Sequence, residues 1–418
     1  MNVKLTAFPA KNGESILLEF IGTKKTNILI DMGYKETYID YIKPKLEQIA
    51  ARGEKIDLLV LTHYDTDHIE GVITFLQELK KEEFISIDEI WMNDYLILCT
   101  DDSIKIDLGE DEKILYDYSN YTIKGYRNGI STLTNNEIAA EELMTITKLI
   151  GELGYRNKIN KKFKNMAIYN EQYNNKIIDI NQEVNIKIIG PQKENLQLLL
   201  LEFLEWLRQN KKLYFYIGDE KLFELFVSNY EDNMKDNIKE VIGINAVSGV
   251  ESYNDEIKAI LKDGNKFCKT SLSNKSSIAL DIEFHDIKLM LTGDIDTKSL
   301  ISYMNGEKNR YDIVKVSHHG SKYNTSINML NLLKCDNYII CTDGSGRSKH
   351  PNFETISYIA SQRNKNIYLN YPLNRIVIND IKINELKEMF NLNLYECNNK
   401  SLEVTVDNGV VTWKQEEC

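Results

Sequence analysis

The chain has 418 residues, 42% hydrophobic and 27% charged, so it can bury the core of one large domain or of two or three smaller ones, and disorder is not its default. Asp and Glu number 63 against 51 Lys and Arg, a formal charge of −12; this excludes a generally basic nucleic-acid-binding surface and leaves room only for a local one. The start, Met1-Asn2-Val3-Lys4-Leu5, lacks the features of a signal peptide, and the apolar run 196–207 is broken by Glu202 and Glu205 and too short to span a bilayer. Six cysteines without Cys-x-x-Cys spacing complete the expectation of a cytoplasmic protein with reduced thiols and no membrane contact.

In chain order, three short strands are predicted at 3–8, 15–20 and 27–31, with Gly13 and Gly22 in the turns. A helix is expected over 38–51, a strand over 56–61, a helix over 69–81 and a strand over 87–92. From 96 to 265 helical segments dominate (137–153, 196–209, 220–227) between Asn- and Lys-rich loops. This span contains no histidine and reads as a large, mainly helical insertion, a lid or partner module. The core is expected to resume with strands at 276–284 and 287–292, a helix after Asp294 and a strand at 311–316. A helix at 327–333, a strand at 337–341 and a hairpin over 402–413, turning at Asp407-Asn408-Gly409, follow. The resulting division is 1–95 and 266–418 as two halves of one core, with 96–265 between them.

Five of the six histidines fall in three clusters at expected strand ends: His63-Tyr64-Asp65-Thr66-Asp67-His68, Ser317-His318-His319-Gly320-Ser321, and His350-Pro351. Four metal-capable side chains within six residues are costly to bury unless a cation neutralises them. The ends of α/β strands are also where ligand sites gather. The clusters therefore point to a metal-dependent hydrolase. His285, at a hairpin turn, reads as a solvated surface residue. The run 344–348 could cradle a phosphate through its backbone or be only a flexible turn.

His63-Tyr64-Asp65-Thr66-Asp67-His68 resembles the leading His-x-His-x-Asp-His motif of the metallo-β-lactamase superfamily, with Asp65 in place of the second histidine. Leu29-Ile30-Asp31-Met32-Gly33 looks like that family's Asp-x-Gly strand end, and Leu291-Thr292-Gly293-Asp294 like the Gly-Asp that supplies a bridging carboxylate. The Asp65 exchange, His318-His319-Gly320-Ser321, His350-Pro351 and Ser273-Asn274-Lys275-Ser276-Ser277 are most similar to the hydrolase domain of bacterial competence (DNA-uptake) proteins. The resemblance covers roughly 1–95 and 270–415 and is absent across the insertion. It implies an α/β fold, a four-layer αββα sandwich binding one or two metals between two sheets. The stretch 274–280 lacks the family's third histidine, and His319 is the expected substitute.

A site of this kind needs imidazole nitrogen, carboxylate oxygen and one shared Asp around two divalent ions. His63, Asp65 and His319 are assigned to one ion, Asp67, His68 and His350 to the other, and Asp294 to the bridge. So many carboxylates make manganese an alternative to zinc. Asp67 is also expected to act in catalysis. Adjacent residues at a strand end point opposite ways, so His318 is expected to miss the metal that His319 reaches and to serve as a leaving-group acid, or else to support a ligand; the two could exchange roles. Asp31 is expected to orient a ligand. The leading expectation is a phosphodiesterase or nuclease. Hydrolysis of a small carboxylic or thiol ester is the alternative, and a metallohydrolase subunit of a multi-protein system, such as antiviral defence, is a third. The insertion is the expected contact for a protein partner or a second copy.

Overall fold

In this computed structural model, residues 1–104, 135–173, 176–206, 253–264, 270–346, 348–375 and 377–416 are described. Seven strands form the first sheet: β1 (Asn2–Ala7), β2 (Ile16–Ile21), β3 (Lys25–Ile30), β4 (Leu58–Val60), β5 (Ile90–Trp91), β16 (Ser401–Asp407) and β17 (Val410–Glu416). Their order is β17-β16-β1-β2-β3-β4-β5, antiparallel as far as β3 and parallel from there. The second sheet holds β6 (Ile178–Asp179), β7 (Val184–Gly190), β8 (Ala279–Phe284), β9 (Ile287–Leu291), β11 (Ile313–Lys315), β13 (Asn337–Ile340), β14 (Asn366–Leu369) and β15 (Asn393–Glu396). It runs β15-β14-β13-β11-β9-β8-β7-β6, parallel from β15 to β9 and antiparallel beyond. A small parallel pair, β10 (Asn309–Arg310) with β12 (Leu333–Lys334), stands apart.

The layering follows from the two-residue period of the strands. In the first sheet Ile16, Leu18, Ile28, Ile30, Leu58 and Val60 point into a core shared with the second sheet. The intervening Leu17, Leu29 and Leu59 point the other way, onto the helices Lys43–Ala51 and Thr66–Lys81. In the second sheet Leu289 and Leu291 face the shared core. Met290 between them faces the helices Thr297–Met304, Ile327–Leu332, Phe353–Ser361 and Asp380–Phe390. Helices, sheet, sheet, helices: this is the αββα sandwich expected.

The span expected as the insertion contains two strands of the second sheet. Residues 178–190, expected inside it, are β6 and β7, and β7 pairs with β8 from Val184↔Phe284 to Gly190↔Ala279. Val184, Ile186 and Ile188 fill the shared core while Asn185 and Lys187 turn away from it. The helix Asn135–Glu152 packs on the helix Thr66–Lys81. The apolar helix Lys193–Trp206 buries Leu196, Leu199, Leu200 and Phe203 in the same cluster as the first sheet's outer face. The expected helix at 220–227 and the end of the one at 196–209 lie outside the described residues. Among the described residues no helix is long and apolar enough to cross a membrane.

Candidate metal centre

One half of the site grows from the first sheet. After β4 the chain passes Thr62 and His63 and enters the helix Thr66–Lys81, whose first turn carries Asp67 and His68. Asp31, just past β3, organises this corner. Its Oδ1 accepts the Thr62 N–H (2.8 Å), and its Oδ2 accepts the Thr62 hydroxyl (2.6 Å) and His68 Nδ1 (2.7 Å). Asp31 thus fixes the orientation of the His68 ring. His63 Nδ1 lies 3.0 Å from Thr62 Oγ1 and 3.2 Å from Ser277 Oγ, the latter from the second sheet.

The other half comes from the second sheet. Asp294 follows β9, and His318 and His319 follow β11. The expectation that the two histidines diverge is overturned. Strand alternation applies to extended backbone, but His318 and His319 both take left-handed conformations (φ 49° and 54°) in a tight turn, and both rings face Asp294. His319 Nδ1 donates to the Cys341 carbonyl at 2.9 Å. His318 Nδ1 lies 3.0 Å from Asn324 Oδ1, and the Asn274 amide flanks the same ring.

The halves converge on one atom. Asp294 Oδ2 is 3.9 Å from His63 Nε2, 3.7 Å from His68 Nε2, 3.8 Å from His318 Nε2 and 3.7 Å from His319 Nε2. These separations are too long for hydrogen bonds. They suit ligand atoms sharing a cation, whose bonds of about 2.0–2.2 Å set neighbours roughly 3–4 Å apart. His63 Nε2, His68 Nε2, His319 Nε2 and Asp294 Oδ1 are buried with no hydrogen-bond partner, in a molecule where such groups are expensive. For His68 and His319 the other ring nitrogen is engaged as a donor, leaving Nε2 as the inward lone pair that a metal requires. The residues present therefore fit a metal.

Two overlapping sets can hold an ion: His63, His68 and Asp294, and Asp67, His68 and His319. These sets divide the side chains differently from the expected partition. His319 stands with Asp67, whose Oδ2 is 3.7 Å from its Nε2, and not with His63 and Asp65. His68 lies between the two sets. Asp65 remains beside His63 (3.6 Å) and accepts a 2.6 Å hydrogen bond from Ser273. His350, expected with Asp67 and His68, is in neither set. Its ring packs edge-on against His318, centroids 5.0 Å apart, with Nδ1 buried and unpartnered.

Electrostatics follow the geometry. Burial pulls against ionising Asp294, but His318, His319, His68 and Lys315 outweigh it and hold the carboxyl well below the usual range. Burial likewise opposes charge on His68, yet Asp31, Asp294 and Asp67 drive its pKa well above the ordinary imidazole value. Burial dominates at His319 and depresses it. At His350, burial and the nearby His318 lower the pKa to about 4.

Three further features bear on the site. The phosphate-cradle alternative for 344–348 loses ground: the Gly344 N–H is held by Thr342 Oγ1, and Ser345 N–H and Oγ both bond Asp343. Lys315 and Glu14, unremarked in the sequence, form a fully buried ion pair behind Asp294. Glu142, on the helix Asn135–Glu152, accepts a 2.8 Å hydrogen bond from Thr66 at the start of the His68 helix. Nothing marks Lys315 in the sequence beyond a charge in an apolar strand, Ile313-Val314-Lys315-Val316, and that was the available signal.

Residues 11–90 match the model of the Metallo-beta-lactamase superfamily, a span that includes Asp31, His63, Asp65, Asp67 and His68. No curated protein matches. Among solved structures, a protein of Parabacteroides distasonis ATCC 8503, provisionally named a metal-dependent hydrolase, aligns over 94% of both chains with 11% identity and a TM-score of 0.32. A long form RNase Z from yeast aligns over 81% of this chain and 36% of its own length, with 15% identity and a TM-score of 0.33.

Proposed function

We propose that this protein is a two-metal phosphodiesterase acting on nucleic acid or a nucleotide, with zinc or manganese as its ions. The observation that carries the reading is the meeting of three orphaned, buried imidazole nitrogens at Asp294 Oδ2. Bound divalent ions supply a lowered pKa for water and charge neutralisation at the ester oxygens. His63, His68 and His319 through Nε2, together with Asp294, would hold such ions, and Asp65 and Asp67 would complete a carboxylate-rich set that suits a phosphoryl centre.

Access is from the side of Asp65, Asp67 and His318, whose side chains are 37%, 22% and 26% exposed against 4% or less for the other three histidines and Asp294. Asp67 takes the proton of the attacking water; burial, opposed by His68 but supported by Asp65 and Asp294, raises its pKa and so its basicity. His318, steered through Nδ1 by Asn324, delivers a proton to the leaving oxygen from Nε2. Kinship with the hydrolase domain of competence proteins belongs to this proposal, on His318-His319-Gly320-Ser321 and His350-Pro351.

The test is a parallel assay of metal-loaded protein on bis-p-nitrophenyl phosphate, single- and double-stranded DNA, RNA and a thioester. The expected result is diester cleavage lost on chelation. Thioester turnover without diester cleavage would replace this reading with the small-ester one.

A further inference from the structure

We infer that Glu14 and Lys315 are positioning residues, a buried pair that fixes Asp294 against the Asp67–His68 corner so that ligands from two different sheets meet in register. The inference rests on the metal-centre reading above.

Lys315 ends β11 and is 0% exposed; Glu14, just before β2, is 1% exposed. The Lys315 ammonium contacts Glu14 Oε2, donates to the Gly293 carbonyl at 3.2 Å and stands 3.8 Å from Asp294 Oδ1. On the other side the Glu14 backbone N–H donates to the Asp67 carbonyl at 3.1 Å. A chain of contacts therefore runs from the Asp67 backbone through Glu14 and Lys315 to Gly293 and Asp294. It crosses from the first sheet to the second directly behind the site.

A buried ion pair is a poor source of stability. Desolvating both charges costs about as much as their attraction returns, and apolar residues of the same volume would serve the core as well or better. Lysine is almost never fully buried without a partner. What the pair provides is direction. Asp294 has two oxygens: Oδ2 lies 3.7–3.9 Å from the four imidazoles, and Oδ1 stands 3.8 Å from the Lys315 ammonium. A cation behind Oδ1 holds the carboxylate in that pose and keeps it from swinging both oxygens toward one ion. Because Glu14 balances Lys315, the pair does this without adding net charge to the centre.

That neutrality defines the experiment. Removing Lys315 alone would make the centre more negative and favour cation binding by field alone, masking lost orientation. Glu14→Gln with Lys315→Met removes one charge of each sign. The expected result is an apoprotein with an unchanged circular dichroism spectrum whose Mn(II) dissociation constant rises tenfold or more, within the 10–100-fold range for residues that orient metal ligands. Glu14→Asp with Lys315→Arg, which keeps both charges, should recover affinity to within threefold of wild type. A rise smaller than tenfold in the neutral pair, or no recovery in the charged one, would overturn the inference. If that double variant does not fold, the same tenfold criterion passes to Glu14→Gln with Lys315→Gln, which also removes one charge of each sign. Wild-type protein that binds no Mn(II) would defeat the metal-centre reading itself, an outcome distinct from wild-type binding that survives in the neutral variant.

Discussion

Asp31→Asn tests how the histidine ligands are prepared, because the substitution is nearly isosteric and its consequence can be followed proton by proton. Asp31 accepts three hydrogen bonds in a fully buried corner: the Thr62 N–H on Oδ1, and the Thr62 hydroxyl and His68 Nδ1–H on Oδ2. In the variant the amide oxygen must stay with the Thr62 N–H, which would otherwise be a buried donor without an acceptor, at a cost of about 1–3 kcal/mol. The amide NH2 then stands where Oδ2 was. The Thr62 hydroxyl can rotate to accept from it. His68 can do so only by giving up the Nδ1 proton and carrying one on Nε2, the atom 3.7 Å from Asp294 Oδ2. An Nε2–H nitrogen is no ligand. Metal affinity should therefore fall about 10–100-fold, the usual scale for such a partner. The apoprotein should lose on the order of 1–3 kcal/mol, as expected for a charge-assisted hydrogen bond. Chelator competition gives the affinity and nitrogen NMR of the imidazole gives the tautomer. Wild-type affinity, or a His68 that still carries its proton on Nδ1, would refute the reasoning.

Three other perturbations probe different links. His318→Ala should retain its metal and lose about 10²-fold or more in kcat, as expected for a proton donor; loss of metal instead would move His318 among the ligands. In the apoprotein, burial, joined by the charges of Glu70, Asp65 and Asp67 and opposed by the Thr66 hydrogen bond, pushes Glu142 up to about 8 from an ordinary 4.5. The folded state thus holds this proton more tightly than the unfolded one, so the contribution to stability is complete below pH 4.5 and is lost as pH rises toward 8. Glu142→Gln should remove that decline from denaturant-unfolding curves, and an identical pH dependence in both proteins would contradict it. Gly13→Ala puts a Cβ onto the Asp67 carbonyl. It should destabilise by about 1–3 kcal/mol and weaken metal binding, whereas a wild-type melting temperature would show the turn to be more pliable than drawn.

The sandwich was legible because its evidence is local. The strands 15–20, 27–31 and 56–61 are short apolar runs set off by turn residues, and the histidine clusters mark strand ends that the structure brings together. β7 was patterned too, Val184-Asn185-Ile186-Lys187-Ile188, but it lies between helical segments, and nothing local reveals that its partner is β8, some hundred residues on in the chain. The partition of ligands depended on backbone direction at two residues. Consecutive left-handed conformations at His318 and His319 are rare for non-glycine residues, so strand alternation gave the wrong orientation. His350 is a histidine after a strand, and the sequence alone does not show that its ring packs beside His318. Lys315 and Glu14 escaped notice because a charge within an apolar strand has meaning only once its partner across the sheets is known.

The central claim is that His63, His68, His319 and Asp294 form a metal centre, and elemental analysis of purified protein tests it most directly. Wild-type protein reconstituted with Zn(II) or Mn(II) and desalted should carry close to two ions per chain, and Asp294→Ala, treated identically, should lose most of them. Wild-type protein that carries no transition metal and keeps its full thermal stability in chelator would contradict the account.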